Sequence, residues 1–220
     1  MSVATPSRKR AAVADRKARE FLRKTDPVLA GLIDERPGFR PRAWMDELPP
    51  LDGFGTLVFQ VAGQQLSVAS TRAIISHLQD RFEGHIPSAA ELLAADPHVL
   101  RESGFSVRKG ETLRALAERF VDGRLSDEAL AAMTDDEVEA TLTEVPGIGP
   151  WTARGLLLVA LDRPDVFLSG DLALRRAIQR EYGFDHLPTD DEVAEVSDRW
   201  RPYRSLGVSY LFASEYDAQP

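Results

Sequence analysis

The feature of the sequence that most restricts the fold is the turn at residues 145–150, which reads VPGIGP. Proline ends a helix because it has no backbone N–H and its ring clashes with the preceding turn, whereas glycine tolerates positive φ. Alternating prolines and glycines therefore predict a tight turn, with Ile148 as a small apolar plug between the two glycines. Because apolar residues recur at helical spacing on both sides, a helical hairpin is predicted.

A helix is predicted on each side of this turn. Thr134 and Glu137 have the spacing of a capping box and begin the first helix, which extends to about Glu144. Thr152 is expected to cap the second helix. The first backbone N–H groups of that helix lack partners within it and its dipole is positive there, so the turn suits a phosphate oxygen.

A single aspartate follows the second helix. Residues 167–171 read FLSGD, and after them Leu174, Ala177 and Ile178 share one helical face. Asp171 is therefore predicted at or beside a helix N-terminus. Aspartate is among the best helix caps, and capping alone would explain its presence. The alternative is a chemical role, which the helix dipole would support by favouring the ionised form.

The rest of the chain also has helical periodicity. Residues 57–62 and 67–82 predict two helices joined by a corner at residues 63–66, which read GQQL. Further helices are predicted over residues 107–121 and from residue 189 onward. The sequence contains no convincing alternating strand pattern, so an almost wholly α fold is expected.

Composition excludes several kinds of chemistry. The sequence has no cysteine, which rules out disulfides, thiol catalysis and cysteine-bound metal clusters and fits a cytoplasmic location. No apolar run approaches membrane-spanning length, and no signal sequence is recognised. The net charge of −8 opposes general attraction to nucleic acid. A local basic face would still suffice, and Arg108 and Lys109 are candidates for it.

The turn and the aspartate together resemble a known superfamily. PGIGPWTA followed by a Gly-preceded Asp171 is similar to the helix-hairpin-helix DNA glycosylases, in which a Gly/Pro-rich loop leads to a catalytic aspartate. The sequence is identified as a member of the DNA-3-methyladenine glycosylase II family. The segments GQQLSVAS, GFSVRK and WRPYRS are also similar to that family. The resemblance extends over residues 26–212 and implies a compact form.

The resemblance implies an all-α, two-lobed fold with the active-site cleft between the lobes. The implied segments are a basic, flexible arm at residues 1–25, a glycosylase domain at 26–216 and a tail at 217–220. One lobe of the domain contains about 26–60 and 172–216. The other lobe contains about 61–165 and carries the hairpin at 145–152.

The implied function is that of a monofunctional DNA glycosylase of base-excision repair. Such an enzyme flips an alkylated purine of the 3-methyladenine or 7-methylguanine type out of duplex DNA and hydrolyses its N-glycosidic bond. Asp171 would stabilise the oxocarbenium-like sugar and direct water to it. Relatives that also cut the backbone carry a lysine where this chain has Trp151, so an abasic site would be left uncut.

Other roles follow from the same resemblance. Gln65 or Leu66 would fill the gap that the flipped base leaves, although a buried leucine beside capping glutamines is an equal alternative. Trp151 and Phe212 would line the base pocket. Cation–π attraction of an alkylated base to Trp151 would contribute about 0.5–2 kcal/mol, whereas the alternative is a core aromatic. Gly155 replaces an aromatic residue of relatives, which predicts a roomier pocket.

The expected binding partner is double-stranded DNA that contains alkylated bases. The DNA contacts would come from Gly147, Gly149 and Thr152 in the hairpin together with Arg108 and Lys109. No cofactor or metal is expected, except that carbonyls of residues 145–150 would bind a monovalent cation, as in relatives. A monomer is expected.

Two alternatives remain from the sequence. The chain could be a superfamily member that acts on oxidised or mismatched bases, or a non-catalytic duplex-binding module that uses only the hairpin.

Overall fold

A computed structural model describes the backbone of residues 8–41 and 51–217, and the side chains from residue 15 onward within those ranges. In these residues the chain forms thirteen helices and no strand, which confirms the predicted all-α class. None of the described helices is long and apolar enough to cross a membrane. The helices are α1 Arg8–Thr25, α2 Pro27–Glu35, α3 Gly53–Gly63, α4 Val68–Asp80, α5 Ala89–Ala94, α6 Val99–Glu102, α7 Val107–Val121, α8 Asp127–Ala132, α9 Asp135–Thr143, α10 Pro150–Val159, α11 Leu172–Tyr182, α12 Asp190–Asp198 and α13 Arg204–Asp217.

Short polar side chains define where many of these helices begin. Ser88, Thr134 and Thr189 each accept a hydrogen bond from the backbone N–H three residues later, and the glutamate at that position accepts one from the backbone N–H of the cap residue. These reciprocal bonds satisfy backbone groups that the helix itself cannot pair. All three capping boxes are recognisable in the sequence.

The described residues divide into two compact units. One contains residues 8–41 and 163–217, and the other contains residues 51–162. The predicted boundary near residue 60 was wrong, because α3 is one continuous helix packed on α4, α7 and α10 and so belongs entirely to the second unit. Residues 163–171 belong to the first unit.

The second unit is built around the inner faces of α3, α7, α9 and α10. Its fully buried side chains include Leu57, Val61, Leu113, Leu116 and Leu142. Because α3 contacts both α7 and α10, and α10 also contacts α9, the apolar core fixes the positions of the helices that flank the turn at residues 145–150.

A buried carboxylate organises the first unit. Asp26 has no exposed area, and its Oδ1 caps α2 by accepting hydrogen bonds from the backbone N–H groups of Val28 and Leu29 at 2.9 and 3.1 Å. Its Oδ2 accepts from the Tyr182 hydroxyl and the Trp200 indole N–H, each at 2.8 Å. Burial and the charge of Asp26 raise the pKa of Tyr182, so the hydroxyl keeps its proton and acts as a donor.

The predicted flexible arm is not observed over residues 15–25. These residues belong to α1, in which Ala18 and Leu22 are buried. Arg19 donates hydrogen bonds to the Tyr210 hydroxyl and the Phe39 carbonyl, both at 2.8 Å. The expectation failed because the partners of this helix lie in α2 and α13, and α13 is almost two hundred residues away in the sequence. Residues 1–7 of the predicted arm and 218–220 of the predicted tail lie outside the described residues.

We expect Asp26→Ala to lower the free energy of unfolding by about 3–5 kcal/mol, because it removes a helix cap and leaves buried donors without an acceptor. Urea denaturation followed by circular dichroism measures this change. Asp34→Ala is the matched control, since the Asp34 side chain is 67% exposed and pairs with Arg23 at the surface. Its expected cost is below about 1 kcal/mol. Equal costs for the two variants would contradict the structural role of Asp26.

Candidate functional site

The turn at residues 145–150 is the hairpin that the sequence predicts. It joins the end of α9 to the start of α10, and Ile148 is 5% exposed, so the plug at its centre is confirmed. Gly147 has a φ of 91°, a conformation that glycine adopts without steric cost. The backbone N–H of Ile148 donates to the Val145 carbonyl at 3.0 Å and closes the turn.

Helix α7 holds the hairpin from one side. The hydroxyl of Thr112 donates to the Pro146 carbonyl at 2.9 Å. A Cβ atom at Gly147 would overlap this hydroxyl. Gly147 is therefore required both for its positive φ and for the close approach of α7.

Helix α10 begins earlier than predicted. Gly149 is its N-cap, Pro150 is its first residue, and no side chain caps it. Proline favours the first helical position because its fixed φ is already helical. The prediction that Thr152 caps the helix was therefore wrong, and its assignment to DNA binding stays a prediction. Thr152 is 2% exposed, and its hydroxyl accepts a hydrogen bond from Gln64.

The turn offers backbone donors at the N-terminal end of α10. Among the described residues, no hydrogen-bond acceptor is found for the N–H groups of Gly147 and Gly149. Both glycines are partly exposed. The positive end of the α10 dipole lies at the same place, so the turn has the properties of an anion site.

Gln64 joins the corner at residues 63–66 to the hairpin, and the sequence analysis missed this role. Its Nε2 donates to the Gly147 carbonyl at 3.1 Å and to the Thr152 hydroxyl at 3.0 Å. The only signal in the sequence was the pair of adjacent glutamines. Nothing local distinguishes the one that binds the hairpin from the one that faces solvent.

The corner itself exposes two side chains. Gln65 is exposed with a φ of 58°, and Leu66 is 43% exposed. The alternative of a buried leucine is therefore wrong, and both residues remain candidates for the wedge. An exposed leucine next to a left-handed residue is a feature that the core of the unit does not explain.

Lys109 supports the corner instead of offering its charge to solvent. Its Nζ donates to the carbonyls of Ala62 and Gln64, each at 2.8 Å, and burial lowers the pKa of this ammonium group. Lys109 therefore has a structural role at the corner, and its contact with DNA stays a prediction. The neighbouring Arg108 is exposed and keeps its predicted role.

The space beside Gly155 differs from the prediction. Trp151, at the second position of α10, is half-buried, and Gly155 is buried one helical turn later. A Cβ atom at Gly155 would lie 2.7 Å from Cδ of Gln60. The predicted roomier pocket was therefore wrong at this point, because the Gln60 side chain occupies the space.

Asp171 lies in the first unit and caps α11, as predicted. Its Oδ1 accepts a hydrogen bond from the backbone N–H of Leu174 at 2.9 Å, and its own N–H donates to the Leu168 carbonyl at 2.9 Å. The carboxylate is partly exposed. Both bonds are local, so the loop and the helix together set the direction of this side chain.

Two aromatic side chains lie on the helix that packs against α11. Phe212 and Tyr216 of α13 stack with ring centroids 6.2 Å apart and planes inclined by 27°. Burial and the charge of Asp171 raise the pKa of Tyr216, which places this tyrosine within electrostatic range of the carboxylate. The sequence analysis named Phe212 but missed Tyr216, although the two are four residues apart on one helical face.

These features define a helix-hairpin-helix protein of base-excision DNA repair. Residues 58–202 match the family described as HhH-GPD superfamily base excision DNA repair protein, and the chain belongs to this family. It is accordingly a DNA glycosylase of base-excision repair, as the resemblance implied.

Particular relatives agree with this class. The chain is 29% identical to DNA-3-methyladenine glycosylase 1 of Schizosaccharomyces pombe, over 89% of this chain and 86% of that protein. It is 30% identical to DNA-3-methyladenine glycosylase 2 of Escherichia coli, over 86% of this chain and 64% of that protein. The solved structure of S. pombe 3-methyladenine DNA glycosylase (Mag1) in complex with abasic DNA superposes with a TM-score of 0.84 at 27% identity, covering 92% of this chain and 98% of that one.

The two hairpin glycines should respond differently to substitution. We expect Gly147→Ala to cost about 2 kcal/mol or more, from a strained positive φ and the overlap with Thr112. Gly149→Ala is the matched control, because its φ is −109° and a Cβ atom would meet nothing within 4 Å. Thermal unfolding of both variants tests this difference, and equal stabilities would contradict the described hairpin geometry.

Arg108 and Lys109 should affect DNA binding in different ways. We expect Arg108→Ala to reduce the slope of log K against log salt concentration by about 0.9, since one phosphate contact is lost. Lys109→Met should leave that slope unchanged and lower the melting temperature, because two carbonyls at the corner lose their donor. Duplex binding measured over a salt series, with melting curves alongside, checks both. A reduced slope for Lys109→Met would support its predicted contact with DNA.

Proposed function

We propose that this glycosylase removes alkylated purines of the 3-methyladenine and 7-methylguanine type from duplex DNA, is monofunctional and acts as a monomer. The observation that carries the proposal is Asp171, an aspartate presented at a helix N-terminus by local hydrogen bonds. Relatives over most of the chain are named DNA-3-methyladenine glycosylases. Each element of the proposal assigns one step of base removal to particular residues.

Cleavage of the N-glycosidic bond of an alkylated purine needs little help from a general acid. Alkylation at N3 or N7 makes a purine cationic, so it leaves readily and the sugar develops oxocarbenium character. A fixed carboxylate stabilises that charge and directs water to C1′. The Leu174 N–H donates to Asp171 Oδ1 and holds the orientation of this side chain. The carboxylate therefore needs little reorganisation when substrate binds.

Trp151 and Phe212 are the proposed aromatic surfaces for the extruded base. Trp151 is half-buried, so part of its side chain packs within the second unit and part remains accessible. An electron-rich ring attracts a cationic base by about 0.5–2 kcal/mol. This attraction would favour alkylated purines over their neutral parents, which is the discrimination that such an enzyme needs.

The hairpin and the corner are the proposed contacts with the DNA backbone and stack. The N–H groups of Gly147 and Gly149 would bind a phosphate oxygen at the positive end of α10. Gln65 or Leu66 would enter the space left by the extruded base and offset part of the unstacking cost. Lys109 and Gln64 fix this corner by donating hydrogen bonds to backbone carbonyls, so the wedge needs little ordering when it binds DNA.

The proposed hairpin cation would be monovalent and bound by backbone carbonyls. The carbonyls of Val145, Pro146 and Gly147 each accept one hydrogen bond in the described structure. A carbonyl oxygen has two lone pairs, so these groups fit a cation that is satisfied by neutral oxygen ligands. Such a cation would add positive charge for a DNA phosphate.

The lysine content supports the monofunctional proposal. A lyase of this superfamily needs an amine at the position of Trp151, and the sequence has no lysine after Lys109. The ammonium of Lys109 is occupied by two carbonyls. We therefore expect the product to be an intact abasic site.

Release of free base from methylated duplex DNA tests the proposal. We expect Asp171→Asn to reduce release by about 100-fold or more through loss of charge stabilisation. Duplex affinity should be retained, because asparagine preserves the cap. Asp52→Asn is the matched control, since Asp52 caps α3 in the same way and is expected to leave release unchanged. Borohydride should trap no covalent complex.

Other results would reject the proposal. If wild-type protein releases no base from alkylated duplex but binds it, the duplex-binding module is favoured. Release only from oxidised or mismatched duplex would favour the other superfamily branch. A borohydride-trapped adduct would overturn the monofunctional assignment.

A further inference from the structure

Two glutamines on α3 face α10. Gln60 and Gln64 are four residues apart and therefore share one face of the chain at the end of α3. Gln64 contacts Thr152 near the start of α10, and Gln60 contacts Gly155 one turn further along. The two segments thus run past each other in opposite directions, and this register determines where the Gln60 amide lies.

The whole amide group of Gln60 covers Gly155. A Cβ atom at Gly155 would lie 2.7 Å from Cδ, 2.8 Å from Oε1 and 2.9 Å from Nε2 of Gln60. Any side chain at residue 155 would therefore displace this amide. The glycine and the glutamine form a matched pair, in which one provides the space that the other fills.

The Gln60 amide has unused hydrogen-bonding capacity. The residue is half-buried, and no partner for its amide is found among residues 15–41 and 51–217. Partly buried polar groups normally find partners, because leaving them unpaired costs free energy. Gln64, one turn away on the same face, uses both of its Nε2 hydrogen atoms. The difference marks Gln60 as a group available to a ligand.

Gln60 and Trp151 are presented at neighbouring positions of one surface. Trp151 and Gly155 are four residues apart on α10, so they lie on the same helical face. The Gln60 amide covers the Gly155 end of that face, and the half-buried indole of Trp151 occupies the other end. The amide and the indole are therefore about one helical turn apart along α10, which is close enough for one ligand to contact both.

We propose that Gln60 is a specificity-determining residue that reads the edge of the extruded base. This inference rests on the proposed function of Trp151 as a base-stacking residue. A glutamine amide has a donor and an acceptor side by side and pairs with a purine edge that offers the complementary pair. Gln60 and Trp151 then divide recognition, because the indole responds to the charge of the base and the amide responds to its hydrogen-bonding edge.

The proposal defines a class of substrate. 3-Methyladenine keeps its 6-amino donor beside ring-nitrogen acceptors, and 7-methylguanine keeps its N1–H donor beside the O6 acceptor. Both offer an edge that the amide can pair with. In 1,N6-ethenoadenine the etheno bridge removes the amino donor, so the bidentate contact is lost. The preferred substrates are therefore alkylated purines with an intact donor–acceptor edge.

Binding to duplexes with three different sites tests the role of Gln60 without requiring turnover. The protein carries Asp171→Asn, and the duplexes contain 3-deaza-3-methyladenine, 1,N6-ethenoadenine or a tetrahydrofuran abasic analogue. The first analogue is neutral and keeps the amino group, so it reports edge contacts separately from charge. We expect Gln60→Leu to weaken its binding by about tenfold or more, the size of a lost bidentate contact. Binding to the other two duplexes should not change.

Gly155→Ala provides a second variant that keeps the glutamine. Its methyl group displaces the amide, so the same selective loss is expected. The double variant should lose no more than either single variant, because both remove one interaction. In protein that keeps the native Asp171, the same variants should slow single-turnover release of 3-methyladenine. They should not slow release of ethenoadenine.

The outcomes separate this proposal from the proposed function. If Gln60→Leu weakens binding to all three duplexes equally, Gln60 only supports the fold. If it weakens binding to none of them, the residue is not used for recognition. Either result would overturn the proposal. Gln60→Leu could weaken binding selectively while protein with the native Asp171 releases no alkylated base. This result would support the role of Gln60 and reject the proposed glycosylase substrate. Release without selectivity at Gln60 would reject this proposal alone.

Discussion

The second unit depends on the way the hairpin is anchored. A turn of alternating glycines and prolines has few interactions of its own, and its shape is set by the Thr112 hydroxyl and the Gln64 amide, which bind neighbouring carbonyls. Gln64 also binds Thr152 inside α10. The corner, the hairpin and the start of α10 are therefore one hydrogen-bonded assembly. The same bonds leave the N–H groups of the glycines directed at no acceptor within the described residues, which suits an anion.

Two aspartates use the same local device in different surroundings. Asp26 and Asp171 both cap helices, yet Asp26 is fully buried and accepts hydrogen bonds from two backbone N–H groups, a tyrosine and a tryptophan. That saturation is typical of a structural carboxylate, because a buried charge is stable only when it is well paired. Asp171 stays partly exposed, and its Oδ1 accepts a hydrogen bond from the Leu174 N–H of the helix that it caps. Burial, and not residue type, distinguishes the two caps.

Gln60 and Gly155 form a further contact between α3 and α10. The resemblance implied an aromatic residue at the position of Gly155, and its absence predicted a roomier pocket in this chain. In this chain the polar amide of Gln60 on α3 covers the glycine of α10 and fills the space beside it. The effect of residue 155 can be understood only together with a residue on another helix.

Sequence alone determined the all-α class, the three capping boxes, the hairpin and the cap at Asp171, because each rests on residues within a few positions of one another. Tertiary structure decided what depends on distant partners. It set the packing of α1 on α13, the burial of Thr152, the attachment of Lys109 to two carbonyls and the contact of Gln60 with Gly155. Local patterns specify where helices begin and end, since capping and chain stiffness act over one turn. They do not specify which polar side chain finds a partner, because the packing of remote helices decides that.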